Sequence, residues 1–200
     1  SGRHPHVGRA GSGDPDGELW LPGECDVPIR NHEWFWRPND EHKLWSLNEL
    51  LEKYYKSVGR NANLLINANP GPDGLIPEAD FERYTEFGAE IRRRFRQPVA
   101  VASGEGYLVE LGFEEVTVVD HIVIMEDIRY GEHVRRYSVE ALTPAGEWCQ
   151  VCEGISIGHK RIHEFKPVTT TRLSWTCSKA VAMPRLRSLA AYRVHDADAA

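Results

Sequence analysis

The apolar residues of this chain change their spacing about half-way along, and the change divides it. In "SLNELLEKYYKSVG", Leu47, Leu50, Leu51, Tyr54 and Tyr55 recur three and four residues apart, the period of one helix face. Ser46 stands at the N-cap with Glu49 three residues later, and Gly59 supplies a stop, so a capped amphipathic helix is predicted. The next segment, "NANLLINANPGPDGLIP", holds the short apolar run Leu64, Leu65 and Ile66 between asparagines and a Pro/Gly cluster. It predicts a strand buried on both faces, as in a parallel sheet. A second helix follows in "EADFERYTEFGAEIRRRF", with Phe81, Tyr84, Phe87 and Ile91 on one stripe and arginines in the last turn, where the dipole favours cations. Pro98 ends it.

Beyond Pro98 the period shortens. "YLVELGFEEVTVVDHIVIMEDI", "VRRYSVEALT", "EWCQVCEG", "HKRIHEFKPVT", "TRLSWTCSKA" and "RLRSLAAYRV" read as strands separated by turn residues, the regular spacing of a β-sandwich. The pattern predicts an α/β piece over residues 1–97 and an antiparallel β-sandwich over 98–200, with the boundary near 97–103. Residues 1–19 are rich in Gly, Asp and Arg without apolar periodicity and read as loop. From Trp20 to Pro38 the chain is aromatic and proline-punctuated, an extended loop or short strand.

Composition narrows the function classes. With 41% hydrophobic and 27% charged residues the chain has a globular composition. Thirty acidic against 24 basic residues give a net charge of -6, which leaves no global attraction for nucleic acid or an anionic membrane. No apolar run approaches the ~20 residues that cross a bilayer, and no cofactor-binding motif stands out. The pair in "CQVC" has half the spacing of a zinc or redox site, but in an alternating strand Cys149 and Cys152 would point to opposite faces, so no metal is expected there. His159 and His163 in "HKRIH" would sit roughly 13 Å apart on a strand, too far to share an ion. "RRRF", Arg92 to Phe95, reads as a solvated helix end. Arg60, Asn61 and Asn67 flank the predicted parallel strand, where either catalysis or the tying of loops could use them.

The segment "WLPGECDVPIR" is the strongest chemical signal. Glu24 and Asp26 are two residues apart, so in extended chain they share a face while Cys25 points away. Trp20, Trp34, Phe35 and Trp36 lie close in sequence. A carboxyl group against aromatic rings loses hydration, which suits a general acid, and aromatic faces stack on sugar rings. A glycosidase site, a lectin-type site and plain core packing all remain open at this level.

The run from "WLPGECDVPIR" through "WFWRP", "LLEKYYKSVGRNANLLIN" and "GPDGLIPEADFERYTEFGAEIRRRF" resembles the C-terminal part of α-L-fucosidases of glycoside hydrolase family 29. "EGISIGHKRI" and "MPRLRSLAAYRV" are similar to segments of the β-sandwich that follows the barrel in that family. The resemblance implies the last portion of a (β/α)8-like barrel followed by an antiparallel sandwich. It implies a retaining exo-glycosidase acting on fucosylated glycans or glycoconjugates, without metal or cofactor, and secreted or periplasmic. It also implies that Glu24 is the acid/base, that Asp26 supports its loop, and that Trp34 and Trp36 contact the sugar. In "IRNHEWFWRP" the residues Asn31, His32 and Glu33 depart from the proline-glycine that usually precedes the aromatics. The family's aspartate nucleophile lies on an earlier barrel strand. A (β/α)8 barrel takes ~250 residues, so the chain is expected to be a fragment that needs the missing N-terminal barrel half and is inactive alone. The reading from another class is a carbohydrate-binding or structural sandwich module without catalysis.

Overall fold

The computed structural model describes residues 21–195; the expected N-terminal loop and Trp20 lie outside them. Strand β1 (Gly23–Pro28) and strand β2 (Ala62–Asn67) form a two-stranded parallel sheet. Helix α1 (Leu47–Lys56) connects them, and helix α2 (Glu78–Phe95) follows β2. The start of α1 is set by the capping box read from the sequence: Ser46 Oγ accepts from the Glu49 N–H at 3.3 Å, and the Ser46 N–H donates to Glu49 Oε2 at 2.9 Å. Its end requires Gly59, since a Cβ there would collide with the Tyr55 carbonyl.

Both helices cover the same face of the parallel pair. Leu50, Leu51 and Phe87 are buried against Leu64 and Ile66, with Tyr84 and Ile91 alongside. The opposite face is open, which corrects the expectation of two-sided burial for β2: Leu65 is 52% exposed. Phe81 departs from its expected stripe in the same way and is 61% exposed. At 100° per residue it lies about 90° from the centre of the Tyr84, Phe87 and Ile91 stripe.

The remaining strands are β3 (Ala100–Glu105), β4 (Leu108–Glu126), β5 (Val134–Leu142), β6 (Trp148–Gly154), β7 (Arg161–Ala180) and β8 (Arg185–Tyr192), in the order β3-β8-β4-β7-β5-β6 with antiparallel pairing. The two segments read from sequence as separate strands, "HKRIHEFKPVT" and "TRLSWTCSKA", are one strand, β7. Long strands β4 and β7 pass through bulges after Gly112 and Val119 and contribute to both layers of a sandwich. One layer joins their Leu108–Gly112 and Arg172–Thr176 pairing to β5 and β6. The other joins their His121–Ile124 and Arg161–Glu164 pairing to β8 and β3. One core holds residues of both layers: Leu111, Leu173, Trp175 and Val139 from the first, Ile122, Ile124, Leu189 and Ala191 from the second.

Burial along β4 shows how the helices meet the sandwich. Its first part alternates between exposed and buried, while Val119 to Ile124 is continuously buried. Ile122 and Ile124 face the sandwich core; Val123 faces Tyr54, Tyr55 and Phe95 of the helices, beside Tyr192. The loop before β2 completes the junction. Ile162 N–H donates to Gly59 O at 2.9 Å, Asn61 N–H to Lys160 O at 3.0 Å, and His159 N–H to Asn61 Oδ1 at 2.6 Å. Asn61 fits where Gly158, at φ 62°, leaves no Cβ in its way. Of the two uses open to Asn61, the tying of loops is therefore the one its contacts serve.

A bulge also corrects the reading of "CQVC". The partner of Val139 is Cys152 and that of Glu140 is Gln150, so Val151 is an extra residue. This resets the alternation and turns both Cys149 and Cys152 toward the core, beside Ala141 and Val139. Both thiols are free, and burial pushes that of Cys152 up to about 12. No helix among the described residues is long and apolar enough to cross a membrane.

Candidate functional site

Strand alternation decides what the open face of the parallel pair carries. Cys25 and Val27 point to the helix side with their partners Leu64 and Ile66. Glu24 pairs with Asn63, Asp26 with Leu65 and Pro28 with Asn67, so two carboxylates and two amides share the open face. Glu24 and Asp26 are exposed. Glu24 stands four residues before the end of β1, roughly 13 Å along the strand at 3.3 Å per residue.

The tryptophans belong to the loop that leaves the C-terminal end of β1. Its base is closed by Asn31 N–H to Lys43 O at 2.8 Å and Trp45 N–H to Ile29 O at 3.2 Å. The departure at Asn31–Glu33 is accommodated by His32 in the left-handed region, φ 63°. Asn67, at the end of β2, donates through Nδ2 to Trp34 O at 3.0 Å, and buried Asn69 donates to Glu33 O at 2.9 Å. These amides hold the backbone that presents the aromatics. Trp34 is 45% exposed and Phe35 80% exposed. Trp36 is half-buried and its Nε1 lies 3.9 Å from the place a Cβ on Gly71 would occupy, so the loops after β1 and β2 form one wall.

Sequence reasoning missed what anchors this wall. Arg30, fully buried, donates from Nη2 to Asp80 Oδ1 at 2.8 Å and from Nε to Asp80 Oδ2 at 3.2 Å, and from Nη1 to Asp40. The fork thus clamps the start of the loop, its far side and the first turn of α2. An arginine after a strand and an aspartate in a helix's first turn are each ordinary in sequence; only the fold brings them together. At the loop tip Glu33 is paired with Lys43 and with Arg37 at 3.2 Å, and the Lys43 hydrogen bond, helped by Arg37, holds its carboxyl below the usual range. A hollow of about 420 Å³ beside the loop is lined by Asn31, His32, Glu33, His42, Lys43 and Trp45 among others; it contains neither Glu24 nor Trp34 nor Trp36.

A second polar cluster lies between the helices and the sandwich. Asp120, His121 and His195 bring potential metal-ligand atoms within 4.8 Å of one another. Their hydrogen bonds are already taken within the protein. Asp120 accepts from Val194 N–H and His195 N–H, both at 2.8 Å, and lies 2.7 Å from His121 Nδ1; His121 Nε2 is 2.9 Å from the Tyr55 hydroxyl, which accepts from Arg94 at 3.0 Å. Burial lowers the pKa of His121, in keeping with a neutral ring that donates to Asp120 and accepts from Tyr55. The cluster reads as a pin between β4, α1, α2 and the chain after β8.

The α-L-fucosidase family model matches residues 12–93. A Bacteroides thetaiotaomicron crystal structure assigned as an α-L-fucosidase shares 44% identity and superposes with a TM-score of 0.89, over 92% of this chain and 43% of that one. A glycoside hydrolase 29 family member from a rumen bacterium shares 32% identity at a TM-score of 0.82, over 94% of this chain and 35% of its own. A protein of Oryza sativa subsp. japonica assigned as α-L-fucosidase 1 is 32% identical over 86% of this chain and 39% of its own length. The chain spans about two fifths of the length of the curated plant relatives it matches. In sequence and in fold it matches the C-terminal part of α-L-fucosidases of glycoside hydrolase family 29.

Proposed function

We propose that the chain supplies the closing staves of the catalytic barrel (residues 1–97) and the flanking sandwich (98–200) of a retaining exo-α-L-fucosidase that releases terminal fucose from glycans or glycoconjugates. The observation that carries this reading is the one-sided parallel pair. β1 and β2 have helices on one face and expose the other, with Glu24, Asp26, Asn63, Leu65 and Asn67 on it. Parallel sheets are ordinarily covered on both faces, and in a (β/α)8 barrel the uncovered face is the interior.

In this reading Glu24 is the acid/base. It protonates the departing glycosidic oxygen and then takes a proton from the water that frees the sugar, while an aspartate from an earlier strand, outside these 200 residues, forms the glycosyl-enzyme bond. Trp34 and Trp36 wall the sugar from the C-terminal ends of the strands, where barrel enzymes place their sites. A second reading is favoured by the depth of Glu24 along β1: it shapes the barrel interior, and the reacting groups sit at the level of Trp34 and Asn67.

The test is a Glu24→Gln substitution in the polypeptide that completes the barrel. An acid/base role predicts a loss of a hundredfold or more (about 10²–10⁴) on fucosides with poor leaving groups and a much smaller loss on activated aryl fucosides. Equal rates on both substrate types before and after substitution would remove Glu24 from the reaction and leave the second reading.

A further inference from the structure

Beyond the fucosidase reading and independent of it, a groove of about 500 Å³ runs between α1 and the edge of β7, lined by Glu52, Lys56, Arg60, Arg94, Arg161 and Glu164 among others. Its floor is built by an isolated antiparallel bridge in which Arg60 and Arg161 are direct partners. Directly opposed residues project to the same side with Cβ atoms about 5 Å apart, and like charges so placed destabilise a sheet. Among the described residues no carboxylate relieves the repulsion. Glu52 is bonded to Lys56, Glu164 pairs with His195 at 3.2 Å, and Glu90 is bonded to Arg93 and Arg94 at 2.7 Å. Among the described residues Arg60 and Arg161 have no ion pair; the Arg161 side chain reaches the Tyr137 hydroxyl, and its Nε is buried without a hydrogen-bond partner. His163, two residues along β7, feels the same field: burial first, then Arg161 and Arg60, push its pKa down to about 4.

We propose that this groove binds an oxyanion of the sulfate or phosphate type between the guanidinium groups of Arg60 and Arg161. Two forks converging on one side present several N–H donors to a tetrahedral anion, and its charge converts the mutual repulsion into two charge-assisted contacts. Lys56 is balanced by Glu52 and Arg94 by Glu90, which leaves the paired Arg60 and Arg161 as the cations an anion would meet. The groove is larger than the ion, so the oxyanion can arrive free or as an ester on a saccharide.

The experiment is an NMR titration of the arginine Nε–H signals of the chain with inorganic sulfate at constant ionic strength, with chloride as the control. Saturable shifts of Arg60 and Arg161 with sulfate alone are expected. Arg60→Gln, an exposed position whose backbone bridge is retained, should weaken binding about tenfold or more, the loss of one charged hydrogen-bonding partner; Arg161→Lys, which keeps the charge and removes the fork, should weaken it as well. Galactose 6-sulfate binding at least about tenfold more tightly than inorganic sulfate would identify a saccharide ester as the source, and equal affinities would identify the free ion. Shifts that fail to saturate at both arginines, or an affinity unchanged in Arg60→Gln, would overturn the proposal.

Discussion

The sandwich and the parallel pair bury their apolar residues by opposite routes. In the sandwich one sheet bends at the bulges of β4 and β7 and lies over itself, so that Trp175, Ile124 and Leu189 are sealed by strands of the same chain. In the parallel pair only the helix side is sealed, and Leu65 looks outward beside Glu24 and Asp26. A sheet that bends back supplies its own partner layer. Two parallel strands cannot, because closure of such a sheet needs more staves. The contrast explains why one half resembles a finished fold and the other a wall with one side to be covered.

The contrast can be broken most severely in the sandwich. Trp175→Ala should cost about 4 kcal/mol by opening a cavity in a core shared by both layers. Urea unfolding measures this, and a loss below about 1 kcal/mol would mean the two layers do not depend on each other. Asp80→Ala leaves the buried Arg30 charge without its main partner and should cost about 3 kcal/mol. The loss should appear first as faster hydrogen exchange in residues 31–43, with the sandwich protected; uniform loss of protection would show that the two halves unfold as one.

Acid titration gives the next effect. The folded pKa of His163 is about 4, lowered by burial and then by Arg161 and Arg60, against about 6.5 unfolded. Below 6.5 the unfolded chain takes up a proton that the folded chain refuses. The stabilising contribution is therefore complete above about 6.5 and is lost as pH falls towards about 4, by on the order of 3 kcal/mol. His163→Gln should flatten that part of the stability profile; an unchanged slope would assign it to another group. The smallest effect sharpens the comparison: Leu65→Ser should change the stability of the chain by less than about 0.5 kcal/mol, as at a surface site, and cost about 2 kcal/mol or more in a longer polypeptide that covers this face as the proposed barrel would.

Local signals carried much of the architecture. The capping box at Ser46 and Glu49 marked the start of α1 to the residue, and β4 was visible in its apolar run. The run also encoded its own surroundings, since alternation gives way to continuous burial where the helices cover the outer face. What escaped depends on distant partners. β3 is made of small residues, "AVASGE", and exists because β8 pairs with it. The extra residue Val151 reverses the facing expected for Cys149 and Cys152 and is set by the register against β5. At the candidate site, the same-side placement of Glu24 and Asp26 was legible from a period of two. Asn67 was singled out with loop-tying as one of its uses, but the depth of the carboxylates along β1, the Arg30–Asp80 clamp and the hold of Asn69 on Glu33 were not legible, because each depends on residues from separate elements.

The central claim, that the open face of β1 and β2 is the inner wall of a fucosidase barrel, has a direct test. The chain is joined behind the N-terminal part of the Bacteroides thetaiotaomicron relative, and hydrolysis of an aryl α-L-fucoside is followed beside the chain alone. The account predicts turnover by the joined protein and none by the chain. Turnover by the chain alone that Glu24→Gln abolishes, or a folded joined protein without activity, would contradict it.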